Sequence, residues 1–141
     1  MPSPSPPSAA ACIFCEIAAH RAPGYVLYED ADTIAFLDLY PFTRGHFLVV
    51  PRRHGARLAD LDEADRIALM HTVDRMCRRV GRLAPDYNLA LNAGAAAGQI
   101  VFHVHFHVIP RYGEANPFHP RPRVALDPED AGRVVATLAA P

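Results

Sequence analysis

His103-Val104-His105-Phe106-His107-Val108-Ile109 alternates imidazoles with large apolar side chains at a period of two. Side chains on an extended strand leave on alternate faces, so the run predicts a strand over 101–109 with Val104, Phe106 and Val108 in the core. The imidazoles then line the opposite face, successive rings about 6 to 7 Å apart. A lone histidine there would be ordinary structure. Three in line are an expensive way to make a solvated strand face, and they point to chemistry. Two chemistries use such a row. His-x-His on a strand offers two imidazole ligands to a metal with open coordination positions, as in a metal-dependent hydrolase. Alternatively, one neutral imidazole attacks phosphorus while its neighbours donate hydrogen bonds to the phosphate oxygens or the leaving group.

The segment before the row helps to choose. In Asn92-Ala93-Gly94-Ala95-Ala96-Ala97-Gly98-Gln99 the glycines and small alanines let backbone N–H groups approach an anion without Lys or Arg. A glycine-containing hairpin connection has the same composition. Gln99 adds a side-chain donor four residues before His103. Loop and row together favour phosphorus chemistry.

Outward from this centre, Tyr87 to Leu91 reads as a strand, and so does His46 to Val50, ending at Pro51. Tyr25 to Tyr28 and Thr33 to Leu37 flank Glu29-Asp30-Ala31-Asp32, whose acidic turn residues suit a hairpin. The clearest helix covers about Glu63 to Leu83, with Leu69, Val73, Met76 and Val80 on one stripe, Asp62 and Asp65 at its start, and Gly81 and Pro85 at its end. A short helix from Cys12 to about His20 precedes the Ala22-Pro23-Gly24 turn, and Asp127-Pro128-Glu129-Asp130 opens a last helix. Residues 1–11 are almost entirely Pro, Ser and Ala and are expected to be a disordered arm, leaving 12–141 as a single domain. The class expected is α+β, an antiparallel sheet covered on one face by the main helix.

Composition narrows the partners. With 14 basic residues, all arginine, against 15 acidic ones, the net charge of −1 supplies no broad positive field for a nucleic-acid backbone. Small phosphate ligands fit better than nucleic acid. No apolar run reaches the roughly 18 to 20 residues of a membrane span, and the N-terminus lacks a basic region before any apolar stretch. Three cysteines cannot complete a disulfide framework, which suits a reduced compartment and a cytoplasmic location. No organic cofactor is expected.

Residues 103–109 match His-φ-His-φ-His-φ-φ, and the chain resembles the histidine-triad (HIT) family on that element. The likeness extends to Cys12-Ile13-Phe14-Cys15-Glu16-Ile17, Ala35-Phe36-Leu37-Asp38, Gly45-His46-Phe47-Leu48-Val49-Val50-Pro51, and Asn92-x-Gly94 through Gly98-Gln99. The resemblance implies a five-stranded antiparallel sheet with one long helix and short terminal helices, usually paired into a homodimer. It implies His105 as the nucleophile of a covalent nucleotidyl-histidine intermediate, with His103 and His107 completing the triad. It implies Asp38 at the ribose hydroxyls, Phe36 and Leu39 near the nucleoside, and Asn92, Gly98, Gln99 and His107 on the phosphate side. Asp38 also reads as a turn residue before Pro41, and Phe36 as ordinary core. One departure stands out: well-studied relatives often carry Ser or Thr after Gly-Gln, where this chain has Ile100. Its backbone N–H still serves phosphate; the hydroxyl is lost.

Cys12 and Cys15, three apart, put both sulfurs on one side of a helix or tight turn, half of a zinc site. A buried cysteine pair and a redox Cys-x-x-Cys share that spacing. Zinc-containing HIT relatives, which the arrangement resembles, add a histidine after the Val-x-Pro segment, here His54, and the first triad histidine, here His103. Such a closed site is structural and leaves His105 and His107 for catalysis. Cys77 is core. The leading expectation is a nucleoside phosphoramidate or nucleotidyl hydrolase acting on AMP or GMP derivatives. The alternatives are a dinucleoside polyphosphate hydrolase, a metal-dependent hydrolase with zinc on the histidine row, and a non-catalytic nucleotide-binding protein.

Overall fold

The computed structural model describes residues 12–114, 125 and 127–138. The expected N-terminal arm lies outside the described residues. Helix α1 (Ile13–Ala18) leads into strands β1 (Val26–Glu29), β2 (Thr33–Leu37) and β3 (Phe47–Pro51). Helix α2 (Glu63–Val80), β4 (Asp86–Leu91), β5 (Phe106–Arg111) and helix α3 (Pro128–Leu138) follow. The strands form one five-stranded antiparallel sheet in the order β1-β2-β3-β5-β4, an α+β fold.

Local chemistry fixes the connections. Asp30 turns the first hairpin, its Oδ1 accepting from the N–H groups of Asp32 and Thr33 at 2.9 and 2.8 Å. Asp62 caps α2 by accepting from the Asp65 N–H at 2.8 Å. The helix stops at Val80 rather than Leu83, and Gly81 does not act through left-handed geometry, having φ −55°. Arg82, Leu83 and Ala84 instead tighten back onto the carbonyls of Arg79 and Val80.

The sheet divides two cores. On one face Leu69, Val73, Met76, Cys77 and Val80 of α2 pack against Val49, Val104, Phe106 and Val108. On the other, Phe14 and Ile17 of α1 pack against Ile34, Phe36, Leu48 and Val50. The α2 stripe leaves no surplus apolar surface for a second chain: Leu69, Val73, Met76 and Val80 are all buried against the sheet. The large apolar residues α2 does expose are Ile67 and Met70.

The strand expected over 101–109 is a correction of detail. Ladder pairing with β3 covers only Phe106 to Val108, opposite Val49 to Phe47. Upstream, Val104 N–H goes to Gly55 O at 2.7 Å, and the Pro51 carbonyl is taken by the His103 ring at 2.7 Å. The faces nevertheless alternate as expected, with Val104, Phe106 and Val108 all in the α2-side core.

Candidate active site

A cleft of about 460 Å³ opens on the α1 side of the sheet. Phe14, Ile17 and Phe36 form its apolar wall, and Asp38, His105 and His107 supply most of its chemistry. His105 is almost wholly buried, and its Nδ1 lies 2.7 Å from the carbonyl oxygen of His103. A carbonyl can only accept, so Nδ1 carries the proton and Nε2 keeps its lone pair. Burial holds the ring below the ordinary histidine pKa and therefore neutral near pH 7. The Phe14 ring stands edge-on to His105, centroids 5.0 Å apart, and fixes its plane.

His107 is set by a chain of partners. The Phe42 N–H donates to His46 Nδ1 at 3.0 Å, so neutral His46 carries its proton on Nε2. That nitrogen faces His107 Nδ1 at 3.0 Å and Asp38 Oδ2 at 3.5 Å. His107 then accepts at Nδ1 and is left as a donor through Nε2. Burial pushes its pKa down to about 4, helped by the neighbouring His105 and His46 rings. Asp38 also accepts the Tyr40 N–H at Oδ1, so it is a turn residue and a cleft residue at once.

The loop after β4 bends at Gly94 and Gly98, both with φ near +90°, around a 3-10 turn at Ala95–Ala97. Side chains larger than hydrogen are strained at such φ. A Cβ at Gly94 would also sit 2.6 Å from Nη2 of Arg57, so that guanidinium would have to move aside. The Gln99 side chain braces this bend from within. Its Oε1 accepts the Gly94 N–H at 2.7 Å, and its Nε2 donates to Ala56 O and Val101 O at 2.7 and 3.1 Å.

Behind the cleft lies a second cluster. One donor atom from each of Cys12, Cys15, His54 and His103 falls within 4.8 Å of all the others. His103 Nδ1 is 3.5 Å from both sulfurs, and His54 Nδ1 is 3.4 Å from Cys15 Sγ. The His103 Nε2–H is spent on Pro51 O, which turns the Nδ1 lone pair inward. Burial, then the adjacent Cys12, pushes the Cys15 thiol up to about 11.

A family model described as the HIT domain matches residues 19–114. The chain belongs to the HIT domain family. The adenosine 5'-monophosphoramidase HNT1 of Candida albicans is 36% identical over 114 residues, 77% of this chain and 75% of that protein. Among solved structures, a HIT family member from Bacillus subtilis aligns with TM-score 0.81 at 34% identity, covering 92% of this chain and 95% of its own. A zinc-bound histidine triad family protein from Mycobacterium smegmatis aligns with TM-score 0.66 at 39% identity, covering 94% and 96%.

Within this HIT domain, Phe36, Asp38, Leu39, Asn92, Gly98 and Ile100 line the cleft together with His105 and His107. Two expected residues stand elsewhere. Gln99 is buried in the loop, its amide fully engaged with backbone. The His103 ring is turned into the cysteine cluster and meets the cleft only through its carbonyl. Arg111, whose guanidinium lies against Glu114, is not among the lining residues. His46 was missed by sequence reasoning. Parity could have found it: His46, Leu48 and Val50 share a face of β3, and Leu48 pairs directly with His107.

Among the described residues, no helix is long and apolar enough to cross a membrane.

Proposed function

We propose that this HIT domain hydrolyses nucleoside phosphoramidates, attacking the α-phosphate of a purine nucleoside 5'-phosphate derivative with His105. The observation that carries this reading is the 2.7 Å bond from His105 Nδ1 to the His103 carbonyl, which leaves a neutral Nε2 as nucleophile in the cleft. The Nε2–P bond forms as the P–N bond breaks, and the departing nitrogen takes a proton through His107, whose proton affinity the anionic phosphate raises. Water then attacks phosphorus: its hydroxyl stays on the nucleotide, its proton returns to His107, and Nε2 is released. The base lies against Phe14 and Phe36, the ribose hydroxyls reach Asp38, and Asn92 with the Gly98 and Ile100 backbone receives phosphate oxygens.

The cysteine cluster fits a structural zinc ion. A tetrahedral site with Zn–S near 2.3 Å and Zn–N near 2.0 to 2.1 Å has S···N edges of about 3.5 Å; His103 Nδ1 to both sulfurs and His54 Nδ1 to Cys15 Sγ span 3.4 to 3.5 Å, and all four donor atoms lie within 4.8 Å of one another. A divalent cation also relieves the cost of thiolates that burial otherwise keeps protonated. Cys12, Cys15, His54 and His103 would hold it, and its work would be to anchor α1 and the His103 backbone. Free cysteines suit a reducing compartment, and we place the protein in the cytoplasm. We also propose a homodimer. Among the described residues β4 pairs only with β5, and its other edge carries the exposed Tyr87 and Leu89.

The test compares kcat/KM for adenosine 5'-phosphoramidate and diadenosine tetraphosphate under the same salt and metal conditions. The phosphoramidate is expected to be the better substrate. Among the described residues the lining side chains include no arginine, so a polyphosphate leaving group finds no cation among them. A clear preference for the dinucleotide would transfer the assignment to polyphosphate hydrolysis, and binding of AMP without turnover of either would make the protein a nucleotide-binding module.

A further inference from the structure

Ile13 and Phe14, the two residues enclosed between Cys12 and Cys15, both line the cleft. The Phe14 ring meets Phe36 with centroids 5.4 Å apart and stands edge-on to His105, so the turn that carries the two sulfurs is also the wall beside the nucleophile. A covalent link between positions 12 and 15 would act on that wall without an intermediary.

The sulfurs are placed for such a link. Both lie 3.5 Å from one atom, His103 Nδ1, and within 4.8 Å of each other. A disulfide needs about 2.05 Å, so closing it takes side-chain rotation and a shift of the first turn of α1. Cys12 is the N-cap of α1, and its sulfur makes no cap hydrogen bond. Access is unequal: Cys12 is 2% exposed, whereas Cys15 is only partly covered and meets a small oxidant first. Cys77 lies across the sheet in the α2-side core and cannot compete for either partner.

We propose that Cys12 and Cys15 are an oxidisable dithiol whose closure to a disulfide expels the bound metal and displaces Ile13 and Phe14 from the cleft wall. This rests on the zinc reading above. The oxidant is a small disulfide such as glutathione disulfide. The Cys15 thiolate attacks one of its sulfurs and one glutathione leaves; the Cys12 thiolate then attacks the Cys15 sulfur and the second leaves. Two electrons pass from the cysteine pair to the oxidant, and the departing thiolates take protons from water. The metal, left with His54 and His103 alone, goes to solvent. In a reducing compartment such a disulfide is transient, as a sensor requires.

The test incubates the full chain as purified with excess glutathione disulfide and a chromogenic chelator, beside a sample with the chelator alone. Peptide 1–21, which holds both cysteines, should become lighter by two hydrogen atoms as one metal ion is released per disulfide formed. Amide exchange over residues 12–20 should quicken, and the Kd for AMP should rise by about tenfold as the ordered wall is lost. Reductant with zinc should reverse these changes. In Cys12→Ser/Cys15→Ser the Kd for AMP should not respond to the oxidant. Sulfurs that stay open, a disulfide that keeps its metal, or a closed pair with unchanged exchange and AMP affinity overturns the proposal. If the purified protein holds no metal or binds no AMP, that reading fails by itself, and peptide mass with amide exchange then decides this one.

Discussion

The backbone carbonyl of His103 accepts the Nδ1–H of His105 at 2.7 Å, while the His103 ring points the other way, into the cysteine cluster. One residue thus belongs to both centres, by its main chain to the reactive imidazole and by its side chain to a set of metal ligands. The tautomer of His105 is set by an atom no substitution at position 103 removes.

Replacing His105 with Asn should lower turnover by orders of magnitude while leaving AMP binding and folding near normal, because it deletes the attacking nitrogen and keeps a small polar side chain. Steady-state kinetics together with AMP titration reads both halves. A variant retaining more than about a tenth of the rate would remove His105 as nucleophile.

Acid should affect rate and stability in the same direction. The pKa values of His46, His105 and His107 are all lowered from 6.5 chiefly by burial, that of His107 to about 4. Between about 4 and 6.5 the unfolded chain binds more protons than the folded one, so stability is whole above pH 6.5 and declines as pH falls through that window. The acid limb of kcat/KM, which reports the free enzyme, should have its midpoint below 6.5. Thermal unfolding from pH 8 to 4 and a pH–rate profile check this; a Tm that rises on acidification contradicts the sign.

Protein purified without chelator should carry about one zinc per chain, and Cys12→Ser or His54→Ala should lower both metal content and Tm. Elemental analysis is decisive, because stoichiometric zinc surviving in Cys12→Ser/Cys15→Ser means that other ligands hold it.

Light scattering at micromolar concentration should return twice the chain mass of 15.4 kDa. Charge placed at the open edge, as in Leu89→Asp, should shift the mass toward one chain. A monomer in the unaltered protein rules the dimer out.

What the sequence disclosed was periodic or local. The two-residue alternation from His103 placed Val104, Phe106 and Val108 in the core, and the α2 stripe with its Asp62 cap fell where expected. What it hid depends on partners far along the chain. The ladder begins only at Phe106 because Gly55 and Pro51, some 50 residues earlier, take the hydrogen bonds of 103 and 104. Gln99 reads as a phosphate donor until Gly94, Ala56 and Val101 are brought around its amide. His46 looks like the start of a strand until the register sets it beside His107.

Helix α1 is six residues long, too short to persist without tertiary support. Cys15 lies on the metal-ligand side, and Phe14 and Ile17 form part of the cleft wall, so one rigid turn serves two ligands. Whatever immobilises it from one side has already met part of the ordering cost for the other, and thermodynamic reciprocity makes the two affinities rise by the same factor. An ion held by Cys12, Cys15, His54 and His103 would therefore act as a dial on nucleotide affinity without approaching phosphorus, and saturating nucleotide would slow the loss of that ion to a chelator.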